Sequence, residues 1–227
     1  SSIETSSVDV TKIIEEKKIS EIEMVEYAED FFLSMGFEPL PSTFWERSLF
    51  VKPQDRSVVC HASAWNLDPA KNDLRIKMCI EKNEEDFITI HHELGHIFYY
   101  QAYNHLPTLF QGGANDGFHE AFGDLLTLSI TPDYLKNIGF ISEVEAEEVK
   151  EDAIGLLMKQ ALEGVVVVPW ALMLDKWRAG VFNGETGQDE LNQSWWDLRE
   201  FYQGIKPPSK RSEEYFDPGA KYHIPGN

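Results

Sequence analysis

The chain has 227 residues, of which 42% are hydrophobic and 12% aromatic, and its formal net charge is −19. This composition is typical of a globular domain with a substantial core and excludes a disordered chain. The negative charge argues against nucleic acids and anionic membranes as partners, because both carry charge of the same sign. No apolar run has the length needed to span a bilayer. We therefore expect a single domain over residues 1–227, with no membrane contact by this segment.

The first 18 residues are polar and include the charged run Glu15–Lys18, so we expect residues 1–18 to be frayed or disordered. Order is predicted to begin at Ser20. Ser20 and Glu23 form a capping-box pattern, and apolar residues then recur at helical spacing until Gly36. This pattern predicts an amphipathic helix that packs against a core.

A β-hairpin is predicted after a proline-punctuated connection. The strand-like runs Arg56–Trp65 and Leu74–Ile80 are separated by turn residues at 66–73. The two cysteines of the chain, Cys60 and Cys79, lie in these two runs. One possibility is a disulfide, which would stabilise the fold by about 3 kcal/mol and indicate an extracellular or secretory compartment. The other is a pair of buried free thiols.

The next predicted helix, from about Glu85 to Ala102, contains the sequence HHELGH. His92 and His96 are four residues apart, so both imidazoles project from one helical face toward a single point. Glu93 lies beside the first of them, as in zinc peptidases. The same motif also arises by chance in unrelated helices, where the histidines belong to a polar face or to the core.

A second helix is predicted after the turn signal Asn115–Gly117. On this helix Glu120 and Asp124 are four residues apart and share a face. A catalytic zinc ion takes three protein ligands and an exchangeable water, so we interpret Glu120 as the third ligand beside the two histidines. Asp124 is suited to receive the free N–H of a ligand histidine. His91 and His119 lie on other faces and are interpreted as packing residues or as partners of the ligands.

The rest of the chain is predicted to be mostly helical. A capping box at Ser142–Glu145 begins one helix, and a further helix covers about Asp189–Tyr202. The run Val165–Val168 is interpreted as helix with a kink at Pro169, because helical patterns lie on both sides of it. From Gly204 the prolines and glycines predict an extended, turn-rich tail. The predicted fold class is mainly α with a small β-hairpin.

Five stretches of the sequence carry a resemblance to one known family, and they are Cys60–Trp65, His91–His96, Gly113–Asn115, Gly117–Asp124 and Phe216–Pro225. Together they resemble the angiotensin-converting enzyme family of peptidyl-dipeptidases. They occur in the order and at the spacing of that family, and the resemblance runs from about Glu23 to Pro225. It implies a mainly helical zinc metallopeptidase of the gluzincin type that encloses a deep channel, with one zinc ion on the three ligands named above.

The resemblance also implies roles for side chains outside the ligand set. It places the substrate on a strand edge, where backbone hydrogen bonds hold a peptide of any sequence. The implied roles are Glu93 as general base and acid, His223 as hydrogen-bond donor to the tetrahedral intermediate, Asp124 as partner of a ligand histidine, Lys221 as the group that binds the substrate's C-terminal carboxylate, and His61, Ala62 and Ala64 as the substrate-binding edge.

Other readings of some of these residues stay open at this point. Without the resemblance, Lys221 would be a solvated surface charge and His61 an ordinary strand residue. Trp195 and Arg199 match positions that bind chloride in the family. Without the resemblance they would be a cation–π pair at i,i+4 spacing.

The activity implied by the resemblance is release of C-terminal dipeptides from oligopeptides. Cys60 and Cys79 match a family disulfide, which implies an extracellular location, either as a secreted protein or as the ectodomain of a membrane-anchored one. Family members are longer at both ends, so we expect an incomplete catalytic domain with little activity of its own, and a signal segment outside this sequence. The alternative is a truncated, catalytically silent relative that acts as a binding or receptor scaffold.

Overall fold

The computed structural model describes residues 8–151, 153–221 and Ile224. Contacts divide the described chain into two compact units, residues 8–151 and residues 153–224. The prediction of one domain over residues 1–227 stays a prediction. Among the described residues, no helix is both long enough and apolar enough to cross a membrane.

The N-terminal unit is built from helices that surround a two-stranded hairpin. Its elements in chain order are α1 (Val10–Lys17), α2 (Glu21–Ser34), α3 (Ser42–Arg47), β1 (Ser63–Asp68), β2 (Asp73–Lys77), α4 (Glu84–Asn104), α5 (Asp116–Thr127), α6 (Pro132–Asn137) and α7 (Glu143–Glu151). The C-terminal unit contains α8 (Ala153–Asn183) and α9 (Leu191–Gln203), followed by short 3₁₀ turns. The prediction of a mainly α fold with a small hairpin is confirmed.

Helix α1 differs from the frayed start that the polar sequence predicts. Val10 and Ile14, which are four residues apart, are buried in the core of the N-terminal unit. The side chain of Asp9 caps the helix by accepting a hydrogen bond of 2.9 Å from the backbone N–H of Lys12. Two buried apolar residues and a cap therefore suffice to order residues 10–17, and the prediction is wrong there. Residues 1–7 lie outside the described residues.

Helix α2 begins with the capping box that the sequence predicts. The backbone N–H of Glu23 donates to Oγ of Ser20 over 3.2 Å, and the backbone N–H of Ser20 donates to Oε2 of Glu23 over 2.8 Å. Gly36, with φ +91, follows the helix in the left-handed region that glycine adopts without strain. The buried face of α2 packs against α4, as in the stacked rings of Phe32 and Phe98.

The hairpin is confirmed, but its first strand begins later than predicted. Strand β1 pairs antiparallel with β2, and Ser63 is opposite Lys77. We predicted strand from Arg56 onward. The backbone N–H groups of Met78 and Ile80, which a longer β1 would need, donate instead to residues 49 and 50. The disulfide Cys60–Cys79 joins the segment before β1 to the segment after β2.

Helix α4 runs through the core of the N-terminal unit. Its apolar face is fully buried and contacts α2, the hairpin and α5. The members of this face recur at helical spacing, and they are Phe87, Ile90, Leu94, Ile97 and Phe98. Such packing fixes the rotation of the helix about its axis, so it also fixes the direction of the histidines on the neighbouring face.

The C-terminal unit packs α9 against the second half of α8 through buried tryptophans. Trp177 and Trp195 lie edge to face with ring centroids 5.7 Å apart. Pro169 and the valines before it lie within α8, so the prediction of helix rather than strand is confirmed.

Hydrogen bonds tie the tail of the C-terminal unit to α9. The side-chain amide of the buried Asn192 donates to the carbonyl of Ser212 over 3.0 Å and to Asp217 over 3.2 Å. The backbone N–H of Asp217 donates in return to Oδ1 of Asn192 over 2.7 Å. Asp217 also accepts from Trp196 and pairs with Arg211. The tail is therefore anchored close to the position of Lys221.

Candidate metal centre

Three side chains on α4 and α5 converge on one point. Nε2 of His92 lies 3.1 Å from Nε2 of His96 and 3.3 Å from Oε1 of Glu120. Nε2 of His96 lies 3.6 Å from Oε2 of Glu120. Zinc–nitrogen distances of about 2.0–2.1 Å in a tetrahedral site separate neighbouring ligand atoms by about 3.3 Å. These three donors therefore fit a zinc ion in both chemistry and spacing, and within the described residues they form a group able to hold a metal.

The protonation state of His96 is compatible with metal binding. Burial lowers its pKa to about 4, and positive charge on His92 adds to the shift. The imidazole is thus neutral near pH 7, which is the form that coordinates a metal. Carboxylates affect the pKa of His92 more than that of His96. Burial lowers the pKa of His92, but the hydrogen bond and charge of Glu120 outweigh that effect, so the net direction is upward.

Two glycines allow α4 and α5 to approach each other at the site. A Cβ atom on Gly95 would lie 3.0 Å from Cα of Gly123. A Cβ atom on Gly123 would lie 2.8 Å from Nδ1 of His92. Any side chain at either position would separate the helices and move Glu120 away from the histidines. No local pattern in the sequence indicates this contact, although both glycines lie inside the two motifs.

Each ligand histidine has a partner on its second ring nitrogen. Nδ1 of His92 lies 3.1 Å from Oδ1 of Asp124, which is the arrangement that we predicted for this carboxylate. Nδ1 of His96 lies 3.3 Å from Nδ1 of His119 on α5. The sequence alone leaves His119 as a packing residue or a partner of the predicted ligands, and in the structure it lies beside His96.

Glu93 is buried beside the ligand group. It is only 7% exposed, and burial raises the pKa of its carboxyl to about 7. The charge of His92 opposes this shift and the charge of Glu120 adds to it, so Glu93 lies within electrostatic range of both. A carboxyl group with a pKa near neutrality can both accept and return a proton.

His91, the first histidine of the motif, faces the core. Its ring is fully buried, and its Nδ1–H donates to the carbonyl of Phe87 over 2.8 Å. Nε2 then accepts from the hydroxyl of Tyr134, also over 2.8 Å. Burial lowers the pKa of His91 to about 4, so the ring is neutral. This hydrogen-bond pair ties α4 to α6 and agrees with the packing role that we predicted.

The hairpin is attached to the C-terminal end of α4 by side-chain amides. Asn66 donates to Oδ1 of Asn104 over 2.8 Å, and Asn104 donates back to Oδ1 of Asn66 over 3.1 Å.

Among the described residues β1 pairs with β2 along one edge, so its other edge faces away from the sheet. Ala62 and Ala64 pack partly against the core, while the ring of the exposed His61 contacts the carbonyl of Ala62 through Nδ1 at 2.7 Å.

The C-terminal unit contains a cleft of about 350 Å³ next to α9. Arg199 lies in it, with its guanidinium 5.4 Å from the ring centroid of Trp170 and 5.3 Å from that of Trp196. The sequence alone suggested Trp195 as its aromatic partner, whereas Trp195 contacts the ring of Trp170. The lining residues are Trp170, Trp195, Trp196, Arg199, Asp217, Ala220 and Lys221.

One buried donor in this cleft lacks a partner. Nε of Arg199 is buried, and it makes no hydrogen bond to any residue that the structure describes. A buried cationic donor without a partner costs free energy unless an anion or water accepts from it. The cleft therefore contains a cationic donor that an anion or a water molecule would satisfy. His223 lies outside the described residues, so its predicted role stays a prediction.

The helix pair carries the HExxH arrangement found in metallopeptidases, in which two histidines on one helix meet a carboxylate on the next. The chain belongs to the angiotensin-converting enzyme family, because the model of that family matches residues 2–227. This family consists of metal-dependent peptidases.

The relatives agree with this assignment. Angiotensin-converting enzyme of Bos taurus is 45% identical over 222 residues, which are 97% of this chain and 17% of the relative. The Sus scrofa protein of that name is 48% identical over 206 residues, or 90% of this chain and 16% of the relative. The Theromyzon tessulatum protein is 41% identical over 222 residues, or 97% of this chain and 36% of the relative. The chain thus spans a minor part of the length of these relatives.

Proposed function

We propose that this chain carries the metal centre of a zinc-dependent peptidyl-dipeptidase, which releases dipeptides from the C-terminus of oligopeptides. The observation that carries the proposal is the convergence of His92, His96 and Glu120 at 3.1–3.6 Å from one another. The membership of the chain in the angiotensin-converting enzyme family supports it.

The proposed chemistry divides between the metal and Glu93. A zinc ion on these ligands would activate a water molecule and polarise the scissile carbonyl group. Glu93 takes the proton of the attacking water and passes it to the leaving amine. The burial of Glu93 within electrostatic range of His92 and Glu120 supports this role, because it places the carboxyl group beside the proposed metal ligands.

The proposed substrate site is the outer edge of β1. A peptide that adds to this edge would be held by backbone hydrogen bonds, which are independent of side-chain identity. His61, Ala62 and Ala64 supply this edge in the proposal. The paired amides of Asn66 and Asn104 support it, since they hold β1 in a fixed register against the helix that carries the histidines.

Recognition of the substrate's C-terminus is assigned to Lys221 in this proposal. The ammonium group would pair with the terminal carboxylate two residues beyond the cleaved bond, so that the product is a dipeptide. His223 would donate a hydrogen bond to the tetrahedral intermediate. The anchoring of the tail to α9 through Asp217 supports a defined position for Lys221.

Chloride is the proposed ligand of the cleft beside α9, with Trp195 and Arg199 as binding residues. The unpartnered Nε of Arg199 among the described residues supports an anion there. We further propose an extracellular location, which the disulfide Cys60–Cys79 supports because such bonds persist in oxidising compartments.

The test combines metal analysis with identification of products. We expect one zinc ion per protein molecule, and release of a dipeptide from an N-terminally blocked tripeptide by a longer protein that contains this sequence. A zinc chelator should stop this reaction, and the same peptide with an amidated C-terminus should not be cleaved. Glu120→Gln should lower the zinc content, while Glu85→Gln, at the exposed start of the same helix pair, should not.

Each outcome separates one function from another. Release of a single residue would identify a carboxypeptidase instead. Bound zinc without hydrolysis of any peptide by a longer protein that contains this sequence would favour the catalytically silent scaffold. Absence of bound zinc under saturating conditions would contradict the metal centre itself.

A further inference from the structure

His119 occupies the position next to the proposed ligand Glu120 and contacts the other helix of the site. Its Nδ1 lies 3.3 Å from Nδ1 of His96, and its Nε2 lies 2.9 Å from the hydroxyl oxygen of Tyr103. Tyr103 is on α4, seven residues after His96, so both contacts of His119 are made to one helix. The three polar groups form a continuous chain from the metal site to the end of α4.

Metal binding determines the direction of the first hydrogen bond. When Nε2 of His96 coordinates a metal, its Nδ1 must carry the hydrogen. This Nδ1–H then donates to Nδ1 of His119, which must accept. The hydrogen of His119 is consequently on Nε2, where it donates to the hydroxyl oxygen of Tyr103.

Ring contacts and the preceding loop hold the imidazole of His119 in place. Its ring centroid lies 4.5 Å from that of Tyr99 and 4.6 Å from that of Tyr100. A Cβ atom on Gly113 would lie 3.0 Å from Cδ2 of His119, so the preceding loop packs closely on the ring. The backbone N–H of Ala114 donates to the hydroxyl of Tyr99 and fixes this loop.

The two ligand histidines are therefore held by different groups. Nδ1 of His92 faces the carboxylate of Asp124, whereas Nδ1 of His96 faces the imidazole of His119. A neutral imidazole is a weaker acceptor than a carboxylate, and it adds no negative charge to the site. It depends on a second hydrogen bond to fix its tautomer and its orientation.

We propose that His119 is a positioning residue that orients His96 for metal binding, and that the hydroxyl of Tyr103 fixes the tautomer in which His119 can accept. This inference rests on the proposed metal centre. Loss of such an outer partner typically weakens metal affinity by about 10- to 100-fold. The loss of zinc affinity should depend on Nδ1 of His119, because a substitution that keeps an aromatic ring keeps the contacts with the tyrosines and removes only this acceptor.

The first measurement is the zinc dissociation constant, determined by competition with a chromophoric chelator on the purified protein. His119→Phe keeps an aromatic ring and removes the acceptor, so we expect zinc binding to weaken by about 10- to 100-fold. His119→Gln offers an amide oxygen as acceptor and should recover most of this loss. Tyr103→Phe should weaken binding less than His119→Phe. Tyr100→Phe, which changes a ring neighbour outside the hydrogen-bond chain, should bind zinc like the wild type.

A second measurement reports the tautomer directly. In the zinc-loaded protein labelled with ¹⁵N-histidine, the His119 ring should carry its hydrogen on Nε2, and Tyr103→Phe should mix the two tautomers. Far-ultraviolet circular dichroism identifies any variant that fails to fold, and the conservative Tyr103→Phe then carries the test. Wild-type zinc affinity in both folded His119→Phe and Tyr103→Phe would overturn the inference. The proposed metal centre would still stand after such a failure, provided that the wild type binds zinc and Glu120→Gln does not.

Discussion

A Cβ atom placed on Gly123 would lie 2.8 Å from Nδ1 of His92 and 2.9 Å from Cε1 of the same ring. The imidazole of His92 thus rests directly on the backbone of α5. The same helix carries Glu120 and Asp124 to the two nitrogens of that imidazole, at 3.3 and 3.1 Å. The absence of a side chain at residue 123 is therefore a condition for the site.

We expect Gly123→Ala to disturb the metal centre more than the small volume of the added methyl group suggests. The added methyl group must displace His92 or separate the helices, and such overpacking costs about 1–3 kcal/mol of stability. Zinc affinity, measured by chelator competition, should fall by about tenfold or more. Gly164→Ala in α8 is the matched control, because a Cβ atom there meets no other atom within 4 Å. Equal zinc affinity in the Gly123 and Gly164 variants would contradict this account.

Glu93→Gln should separate metal binding from turnover. Glutamine keeps the shape of the side chain but cannot take a proton, so we expect full zinc content and a loss of activity of roughly 100- to 10,000-fold. The measurement is dipeptide release by the zinc-loaded protein, or by a longer protein that contains this sequence. Glu85→Gln, at the exposed start of α4, serves as control. Retained turnover in the Glu93 variant would remove this residue from the mechanism.

The ligand group could be predicted from the sequence because it depends on local geometry. The four-residue spacing of His92 and His96 places them on one helical face whatever the rest of the fold does. The same rule places Glu120 and Asp124 on one face of α5, although the approach of that face to the histidines is not local. By contrast, the contact of Gly95 with Gly123 depends on how the two helices cross. That crossing is set by core packing across distant parts of the chain, and no local pattern encodes it.

The predictions that were wrong also concern features that depend on contacts between distant parts of the chain. Local polarity predicts a frayed N-terminal segment, yet Val10 and Ile14 are buried in a core to which distant residues contribute. The run from Arg56 has strand-like composition, but strand formation requires a partner, and the backbone groups of Met78 and Ile80 are bonded elsewhere. The sequence left two possibilities for His119, because its contact with His96 joins residues 23 positions apart in the sequence.

Low pH should weaken the ion pair between Arg47 on α3 and Asp73 on β2, which links α3 to the hairpin. Hydrogen bonds from Arg75 are the main cause that lowers the pKa of Asp73 from 3.8 to about 2, and Arg47 also pairs with it. Because the folded-state pKa lies below the ordinary value, the carboxylate stabilises the fold at pH values above 3.8. This stabilisation is lost as the pH falls through about 2.

The measurement is the urea midpoint of unfolding of wild type and Asp73→Asn between pH 7 and pH 2. We expect the variant to be less stable by a constant amount above about pH 5, and the difference to shrink as the pH falls further. Asp55→Asn, which removes a carboxylate on an exposed pair with Arg56, should show no such difference. A gap between wild type and Asp73→Asn that is independent of pH would refute the assignment.

Arg199→Gln should remove the anion response of the cleft beside α9. Three tryptophans line this cleft, so occupation by chloride should change the intrinsic fluorescence in a saturable way. Sodium sulfate at equal ionic strength reports the non-specific effect of salt. We expect the chloride response to disappear in Arg199→Gln and to persist in Arg178→Gln, whose guanidinium lies over Phe182 instead. A response that survives in Arg199→Gln would exclude this arginine as the binding group.

The buried amide of Asn192 has a consequence for modification of the chain. Asn192-Gln193-Ser194 matches the acceptor sequence for N-linked glycosylation, so a secreted protein would be expected to carry a glycan there. In the folded C-terminal unit this side chain is fully buried, and its amide nitrogen donates to Ser212 and Asp217. A glycan on that nitrogen would displace the tail from α9. Folding of this unit and sugar attachment at residue 192 are thus mutually exclusive, and the mature protein should carry no glycan at that asparagine.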